Sequence, residues 1–239
     1  MGMERLDKIL SSQNLGSRKE VSVLIRAGRV TVNGARVWRP AQKADPESDV
    51  ITVDGELLNF KKHIYLMMNK PGGVLSASRD PHARTVVDLL PPELRRRGIF
   101  PAGRLDKDTR GLLILTDDGD FAHRMLSPKS HVTKWYEAVL ESPVSKEDIL
   151  IFRRGVTLSD GTTCLPAELS VLHDGEHPTA LIGLHEGKFH QVKRMFAARG
   201  NRVLSLRRVR IGGLSLDAEL PEGSARELDA EEAALVFRK

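Results

Sequence analysis

Residues 100–119, FPAGRLDKDTRGLLILTDDG, combine a constrained loop, a buried strand and a turn in one short stretch. The run at 112–116 is almost wholly apolar, which predicts a strand buried on both faces. Arg104 and Asp106 therefore lie in a loop just before a rigid strand, where catalytic side chains are often found. The residues alone also fit a plain structural alternative, in which Asp106 or Asp108 bonds nearby backbone amides and caps a turn.

The rest of residues 61–239 predicts many strands with occasional helices. Strands are predicted at 64–68, 112–116, 132–140, 164–172, 180–184 and 203–209, and helices at 121–126, 145–154, 191–198 and 230–237. The strands outnumber the helices and show no regular βαβ alternation. The expected class is therefore α+β, with a larger mixed, mostly antiparallel sheet and flanking helices.

Residues 1–60 predict a separate small domain of helix, helix and hairpin. Apolar residues recur at helical spacing over 6–10 and 21–25. Ser17 and Glu20 form a capping-box pattern at the start of the second helix. Asn33-Gly34 is a strong two-residue hairpin signal, because both turn positions need positive φ.

The basic side chains are concentrated in two segments. The 239-residue chain has a formal net charge of +5. Residues 1–43 hold nine Lys/Arg against three acids, and residues 188–210 hold eight Lys/Arg and no acid. Two basic segments indicate contacts with phosphates of a nucleic acid. The same charges would also fit two solvated helical faces.

Several classes of protein are disfavoured by what the sequence lacks. It has no apolar run near the roughly 20 residues of a membrane span and no readable secretory signal, so a cytoplasmic protein is expected. The single cysteine, Cys164, excludes an internal disulfide and multi-cysteine zinc sites. Residues 106–109 partly match the Asp-x-Asp-x-Thr pattern of aspartyl-phosphate phosphatases, but Thr109 comes one position too early. In that pattern the apolar strand also precedes the first aspartate, whereas here it follows.

The amino-terminal pattern resembles a known RNA-binding module. RLDKILSSQNLGSRKEVSVLIRAGRVTVNGARV at 5–37, with VITVDG at 50–55, resembles the small domain named after ribosomal protein S-four. That resemblance implies that basic side chains of the helices and hairpin face RNA backbone. The residues concerned are Arg5, Lys8, Arg18, Lys19 and Arg29.

The larger part of the chain resembles the pseudouridine synthases that modify ribosomal RNA. GRLDKDTRGLLILTDDG at 103–119 is similar to their catalytic motif, NKPGG precedes it, and EGKFHQVKRMFAARGNRVLSLRRVRIGGLSL at 186–216 follows in the family order. Arg110 and Asp117 depart from the commoner residues at their positions. KFHQVKRMF most resembles the branch acting on small-subunit (16S) ribosomal RNA. Two alternatives stay open, a large-subunit (23S) enzyme and a non-catalytic RNA-binding assembly factor.

The resemblance implies a role for each of five residues. Asp106 is the expected catalytic carboxylate, as nucleophile at the ribose or as the base that generates a glycal, and Lys193 the cation beside it. The target nucleotide is expected to flip out of the RNA helix, with Tyr136 stacking on its base. Arg104 is expected to fill the space that the base leaves in the helix or to hold the phosphate of the flipped nucleotide, and Leu214 to pack against the pocket. The implied reaction converts uridine to its isomer pseudouridine and needs no cofactor or metal. The expected partner is ribosomal RNA, naked or in an assembling particle, bound by a monomer.

Overall fold

The computed structural model describes residues 2–96 and 98–238, and the chain divides into two compact units. The first unit is Met1–Ile64 with Pro91–Gly98, and the second is Tyr65–Leu90 with Ile99–Lys239. The predicted boundary lies at residue 60. In the structure, the first unit also takes residues 61–64 and 91–98.

The first unit contains two short helices and small antiparallel sheets. Its elements are β1 (Glu4–Arg5), α1 (Leu6–Ser12), α2 (Arg18–Arg26), β2 (Val30–Val32), β3 (Ala35–Arg36), β4 (Lys43–Ala44), β5 (Ile51–Val53) and β6 (Glu56–Leu57). The order β3-β2-β5-β6 forms one sheet, and β1 pairs with β4. Apolar side chains of both helices and of β2, β4 and β5 form the core.

The local signals of the first unit form as predicted. The Ser17 hydroxyl accepts from the Glu20 amide, and the Glu20 carboxylate accepts from the Ser17 amide at 2.6 Å. Asn33 and Gly34 have φ of 50° and 80° between β2 and β3, as the predicted hairpin turn requires. These two features confirm the helix–helix–hairpin prediction.

The second unit is built on one large sheet with helices packed against it. Its elements are β7 (Tyr65–Lys70), β8 (Phe100–Pro101), β9 (Arg110–Thr116), α3 (Gly119–Leu126), β10 (Lys134–Leu140), α4 (Lys146–Arg154), β11 (Glu168–His173), β12 (Thr179–Leu184), α5 (Gln191–Ala197), β13 (Val203–Ile211), β14 (Leu214–Ser215), β15 (Ala225–Glu227) and α6 (Ala230–Leu235). The strand order is β11-β12-β10-β13-β9-β7-β15, with β8 paired to β9 and β14 to β13.

This sheet confirms the predicted mixed, mostly antiparallel architecture. Among the described strands, β9 and β13 pair in parallel, through Arg207–Arg110 and Arg208–Gly111, and the other pairs are antiparallel. Gly111 makes this junction possible. It has φ of 97°, and a Cβ there would lie 2.2 Å from the carbonyl oxygen of Arg208.

One predicted strand begins too early, and one helix extends too far. The predicted strand at 164–172 is observed only as β11 from Glu168. The preceding residues instead bond to other segments, because the Cys164 amide donates to the Val156 carbonyl and the Ala167 amide donates to that of Phe152. The helix predicted at 230–237 ends at Leu235. In the described part of the chain, no helix is long and apolar enough to cross a membrane.

Candidate active site

The loop at 105–109, between β8 and β9, is fixed by hydrogen bonds within itself and to the segment after β7. The Thr109 amide donates to the Asp106 carbonyl at 3.1 Å and closes a turn. The hydroxyl of Ser76, which is buried, donates to the Leu105 carbonyl at 2.9 Å and accepts from the Leu105 amide at 3.1 Å. The loop therefore holds Asp106 on a rigid support.

Buried Lys70 binds backbone carbonyls of the same loop. Its Nζ donates to the carbonyl oxygens of Pro71, Lys107 and Thr109 at 2.9, 3.2 and 2.9 Å. Burial lowers the pKa of Lys70 to about 8, an effect that nearby carboxylates oppose. Lys70 belongs to the NKPGG segment, but the sequence motifs predicted no role for it. A lysine that ends an apolar strand is the signal that could have identified it.

A lysine and a histidine approach the Asp106 carboxylate, whose side chain is 25% exposed. Lys193 Nζ lies 3.7 Å from Oδ2, and His190 Nε2 lies 3.7 Å from Oδ1. The nearer partner of Lys193 is Asp108, whose two carboxylate oxygens accept at 2.6 and 2.7 Å. This hydrogen bond holds the pKa of Asp108 below its ordinary value, against the opposing effect of burial.

Helix α5 brings Lys193 to this loop. Val192, Met195 and Phe196 lie on its buried face. His190, the residue before the helix, adopts a left-handed conformation with φ of 49°. Its ring stacks on exposed Phe189 with centroids 3.8 Å apart. Neither His190 nor Asp108 was predicted to approach the site, although both lie inside the quoted motifs.

A cavity of about 790 Å³ opens beside Asp106. Arg104 and Tyr136 line it together with Asp106, so three of the five predicted active-site residues line the same cavity. Lys193 reaches the same carboxylate from α5. The fifth, Leu214, is buried in the core beside Met67, Ile211 and other apolar residues and is not among those lining this cavity.

Two further buried cations line the cavity, and the sequence motifs predicted no role for them. Lys134 on β10 and Arg208 on β13 are 5% and 4% exposed. The signal was present, because Lys134 alternates with buried Val132 and Ala138, and Arg208 is two positions from buried Leu206. A cation in the inward register of a strand is unusual and indicates either a partner or a function.

The predicted RNA-binding residues of the first unit are exposed, and four of them are ion-paired. Arg5 and Arg18 both bond the buried carboxylate of Asp7. The remaining pairs are Lys8 with Glu4 and Arg29 with Asp54. Lys19 is exposed, with no ion pair to a described residue. Within residues 2–96 and 98–238, no cluster of three or more His, Cys, Asp or Glu side chains could hold a metal ion.

Models of two known families match this chain. The model described as RNA pseudouridylate synthase matches residues 64–198, and the model of the S4 domain matches residues 4–51. The first match covers more than half of the chain and includes Asp106, Tyr136 and Lys193. The two matches occur in the order predicted from the motifs.

Full-length relatives agree with the family models. The chain is 47% identical over 233 residues to "Uncharacterized RNA pseudouridine synthase YtzG" of Bacillus subtilis, covering 97% of this chain and 98% of the relative. It is 42% identical over 234 residues to "Ribosomal small subunit pseudouridine synthase A" of Escherichia coli, covering 97% and 99%. A solved structure described as "Crystal structure of pseudouridylate synthase" is similar with a TM-score of 0.68 and 35% identity, over 98% and 99% of the two chains.

Proposed function

This chain belongs to the RNA pseudouridylate synthase family, and we propose that it converts a specific uridine of small-subunit ribosomal RNA to pseudouridine with Asp106 as the catalytic carboxylate. One observation carries the assignment of the residue. Asp106 stands on a hydrogen-bonded loop beside a large cavity, with Lys193 Nζ and His190 Nε2 each 3.7 Å from one of its carboxylate oxygens. The small-subunit target is supported by the names of similar full-length proteins from Escherichia coli and Vibrio cholerae.

The reaction moves ribose C1′ from ring nitrogen N1 to ring carbon C5. The N1–C1′ bond breaks with its electron pair on the base, the base turns, and C5 bonds to C1′. C5 then loses its proton and N1 gains one, so the product is an isomer and no redox step occurs. The protein must therefore supply a group at the ribose, a platform for the base and a route for one proton.

Asp106 serves the ribose by one of two routes. As a nucleophile, its carboxylate bonds to C1′ when the base leaves and is displaced when C5 attacks. As a base, it removes the C2′ proton to give a glycal and returns that proton when C5 bonds to C1′. Both routes need an ionised carboxylate, and Lys193 places a positive charge 3.7 Å from it.

Tyr136 and Arg104 act on the flipped nucleotide. A uridine in a helical stack is out of reach, so the target must leave the stack to enter the cavity. Tyr136 lines the cavity and offers an aromatic surface for the base and a hydroxyl to assist removal of the C5 proton. Exposed Arg104 fills the vacated stack or holds the phosphate of the flipped nucleotide.

The first unit docks the enzyme on RNA. Its predicted contacts, led by exposed Lys19, give phosphate binding without base specificity. Arg5 and Arg18, which are half-exposed and both bond Asp7, keep N–H groups for phosphate, because one carboxylate cannot occupy all the N–H groups of two guanidiniums. In this proposal, the protein acts as a cytoplasmic monomer on naked RNA or an assembling particle.

The target is tested by mapping pseudouridines with carbodiimide adducts in ribosomal RNA from cells that lack the gene. Loss of one site in the small subunit, restored by the wild-type gene and not by Asp106→Asn, is the expected result. A missing site in the large subunit would overturn the proposed target. An unchanged pattern in both subunits, with no product from purified protein on either RNA, would favour a non-catalytic assembly factor.

A further inference from the structure

Two buried cations flank the tyrosine at the wall of the cavity. Tyr136 on β10 is the direct Cα partner of Arg208 on β13, and Lys134 lies two residues before Tyr136 on the same face. The Arg208 guanidinium lies 5.9 Å from the centre of the Tyr136 ring. All three side chains line the cavity that Asp106 also lines.

The backbone satisfies these cations only in part. Lys134 Nζ donates to the Met125 carbonyl at 3.1 Å, and Arg208 Nε donates to the Leu112 carbonyl at 2.7 Å. The Nη2 nitrogen of Arg208 is buried without a hydrogen-bond partner among the described residues. A guanidinium carries five N–H donors, so an unpaired buried nitrogen is costly unless a ligand completes it.

No carboxylate compensates either charge within residues 2–96 and 98–238. The nearby acid Glu186 is engaged by Lys188 and Gln191. Burial, followed by repulsion from Arg208, lowers the pKa of Lys134 to about 8. Buried charges are normally paired with an opposite charge. Lys134 and Arg208 therefore leave room for a negatively charged ligand.

The proposed reaction generates a negative charge on the base. When the N1–C1′ bond breaks, its electron pair stays on the uracil ring and is shared by N1, O2 and O4 until C5 bonds to C1′. A base stacked on Tyr136 would bring its oxygen edge towards the neighbouring guanidinium. Preorganised donors in a pocket with little water stabilise such a developing charge far more than water does.

We propose that Arg208 and Lys134 bind the oxygen edge of the uracil ring and stabilise the negative charge on the base as the glycosidic bond breaks. This inference rests on the proposed function and adds to it. Asp106 acts at the ribose, whereas Arg208 and Lys134 stabilise the leaving base. It also gives a reason for selecting uracil. Cytosine carries an amino group where uracil has O4, and that group would face the cations as a donor.

The test compares uridine RNA with the same RNA containing 5-fluorouridine. Fluorine withdraws electrons and stabilises the base anion, so the rate should depend less on Arg208. C5 of this base carries no proton to lose, so the rearranged base keeps its C–F bond and adds water across C6 and N1. Single-turnover loss of the target nucleoside, followed in nuclease digests at saturating enzyme, should slow about 100-fold for Arg208→Gln on uridine RNA. The single-turnover rate of the same variant should fall much less on 5-fluorouridine RNA. Arg208→Lys should retain more of the rate, and Lys134→Met should show the same substrate dependence.

Controls separate a chemical role from a structural one. The side chain introduced by Arg208→Gln retains an amide donor for the Leu112 carbonyl, and thermal melting checks that each variant folds. Lys70→Met removes another buried cation, one that holds the loop, and should slow both RNAs by the same factor.

Two outcomes would overturn the inference. The first is an equal loss of rate for the Arg208 variants on the two RNAs. The second is weaker RNA binding with an unchanged single-turnover rate, which would assign the cations to an RNA phosphate. Failure of wild-type enzyme to form pseudouridine would instead contradict the proposed function.

Discussion

Lys193 bonds both carboxylate oxygens of Asp108 at 2.6 and 2.7 Å while its Nζ stays 3.7 Å from Asp106. One cation thus serves two carboxylates that are two residues apart, and only the more exposed one has a short contact. Asp108 therefore holds the positive charge of Lys193 at the edge of the site, 3.7 Å from the Asp106 carboxylate.

Removal of this cation should impair catalysis. Lys193→Met takes away the positive charge that lies 3.7 Å from the Asp106 carboxylate, so the rate near neutral pH should fall about 100-fold. Lys193→Arg should recover most of the rate, as measured by tritium release from C5-labelled RNA. A rate for Lys193→Met close to that of wild type would contradict this role.

Lys70 should affect stability in a manner that depends on pH. Its folded pKa of about 8 lies below the ordinary lysine value, so between these values the unfolded chain binds a proton that the folded chain has lost. This group therefore raises the free energy of unfolding as pH increases from about 8 to 10.4, by up to about 3 kcal/mol. Urea unfolding at several pH values should show that rise in wild type and a smaller one in Lys70→Met. Equal slopes would contradict it.

Asp7 should stabilise the first unit with a pH dependence of the same sign as that of Lys70, but in the acid range. Its hydrogen bond with Arg5 is the main cause of its lowered pKa, and Arg18 adds to the effect. A lowered carboxyl pKa gives stability that is complete above the unfolded value of about 3.9 and is lost as pH falls through the folded value. Asp7→Asn should cost about 2 kcal/mol at pH 7. The difference from wild type should shrink below pH 4, and a constant difference in urea unfolding would exclude this linkage.

The first unit should carry part of the salt dependence of RNA binding. Lys19→Gln removes an exposed cation, and the removal of one phosphate contact should reduce the slope of log K against log salt by about 0.7 to 0.9. Lys146→Gln removes an exposed lysine at the start of α4 and serves as the matched control. Filter binding at a series of salt concentrations measures both slopes. The same slope in wild type and Lys19→Gln would mean that Lys19 only faces solvent.

The fold was predictable where local chemistry determines it. Ser17 with Glu20 fixes the start of α2, Asn33-Gly34 fixes a hairpin, and the apolar run after Gly111 forms the buried strand β9. The pattern failed at 164–172, because the Cys164 and Ala167 amides bond to segments that are distant from β12. Such pairings depend on tertiary contacts, which periodicity does not encode.

The motifs predicted the site only in part. They led to Asp106, Arg104 and Tyr136, which line one cavity. They gave no sign that Lys193 would bond Asp108 more closely than Asp106, since that depends on where α5 meets the loop. The strand pattern could have marked Lys70 and Arg208 as buried cations, but the backbone carbonyls that hold them have no sequence signature.

The central claim is that Asp106, and not its neighbour Asp108, performs the chemistry. The most direct measurement is pseudouridine formation in small-subunit RNA by Asp106→Asn and Asp108→Asn, mapped with carbodiimide adducts, with RNA affinity measured in parallel. Asp106→Asn should bind RNA nearly as wild type does and form no pseudouridine. Asp108→Asn removes an exposed carboxylate that holds Lys193, so it should form pseudouridine more slowly than wild type but should remain active. Full modification by Asp106→Asn would contradict the assignment of Asp106.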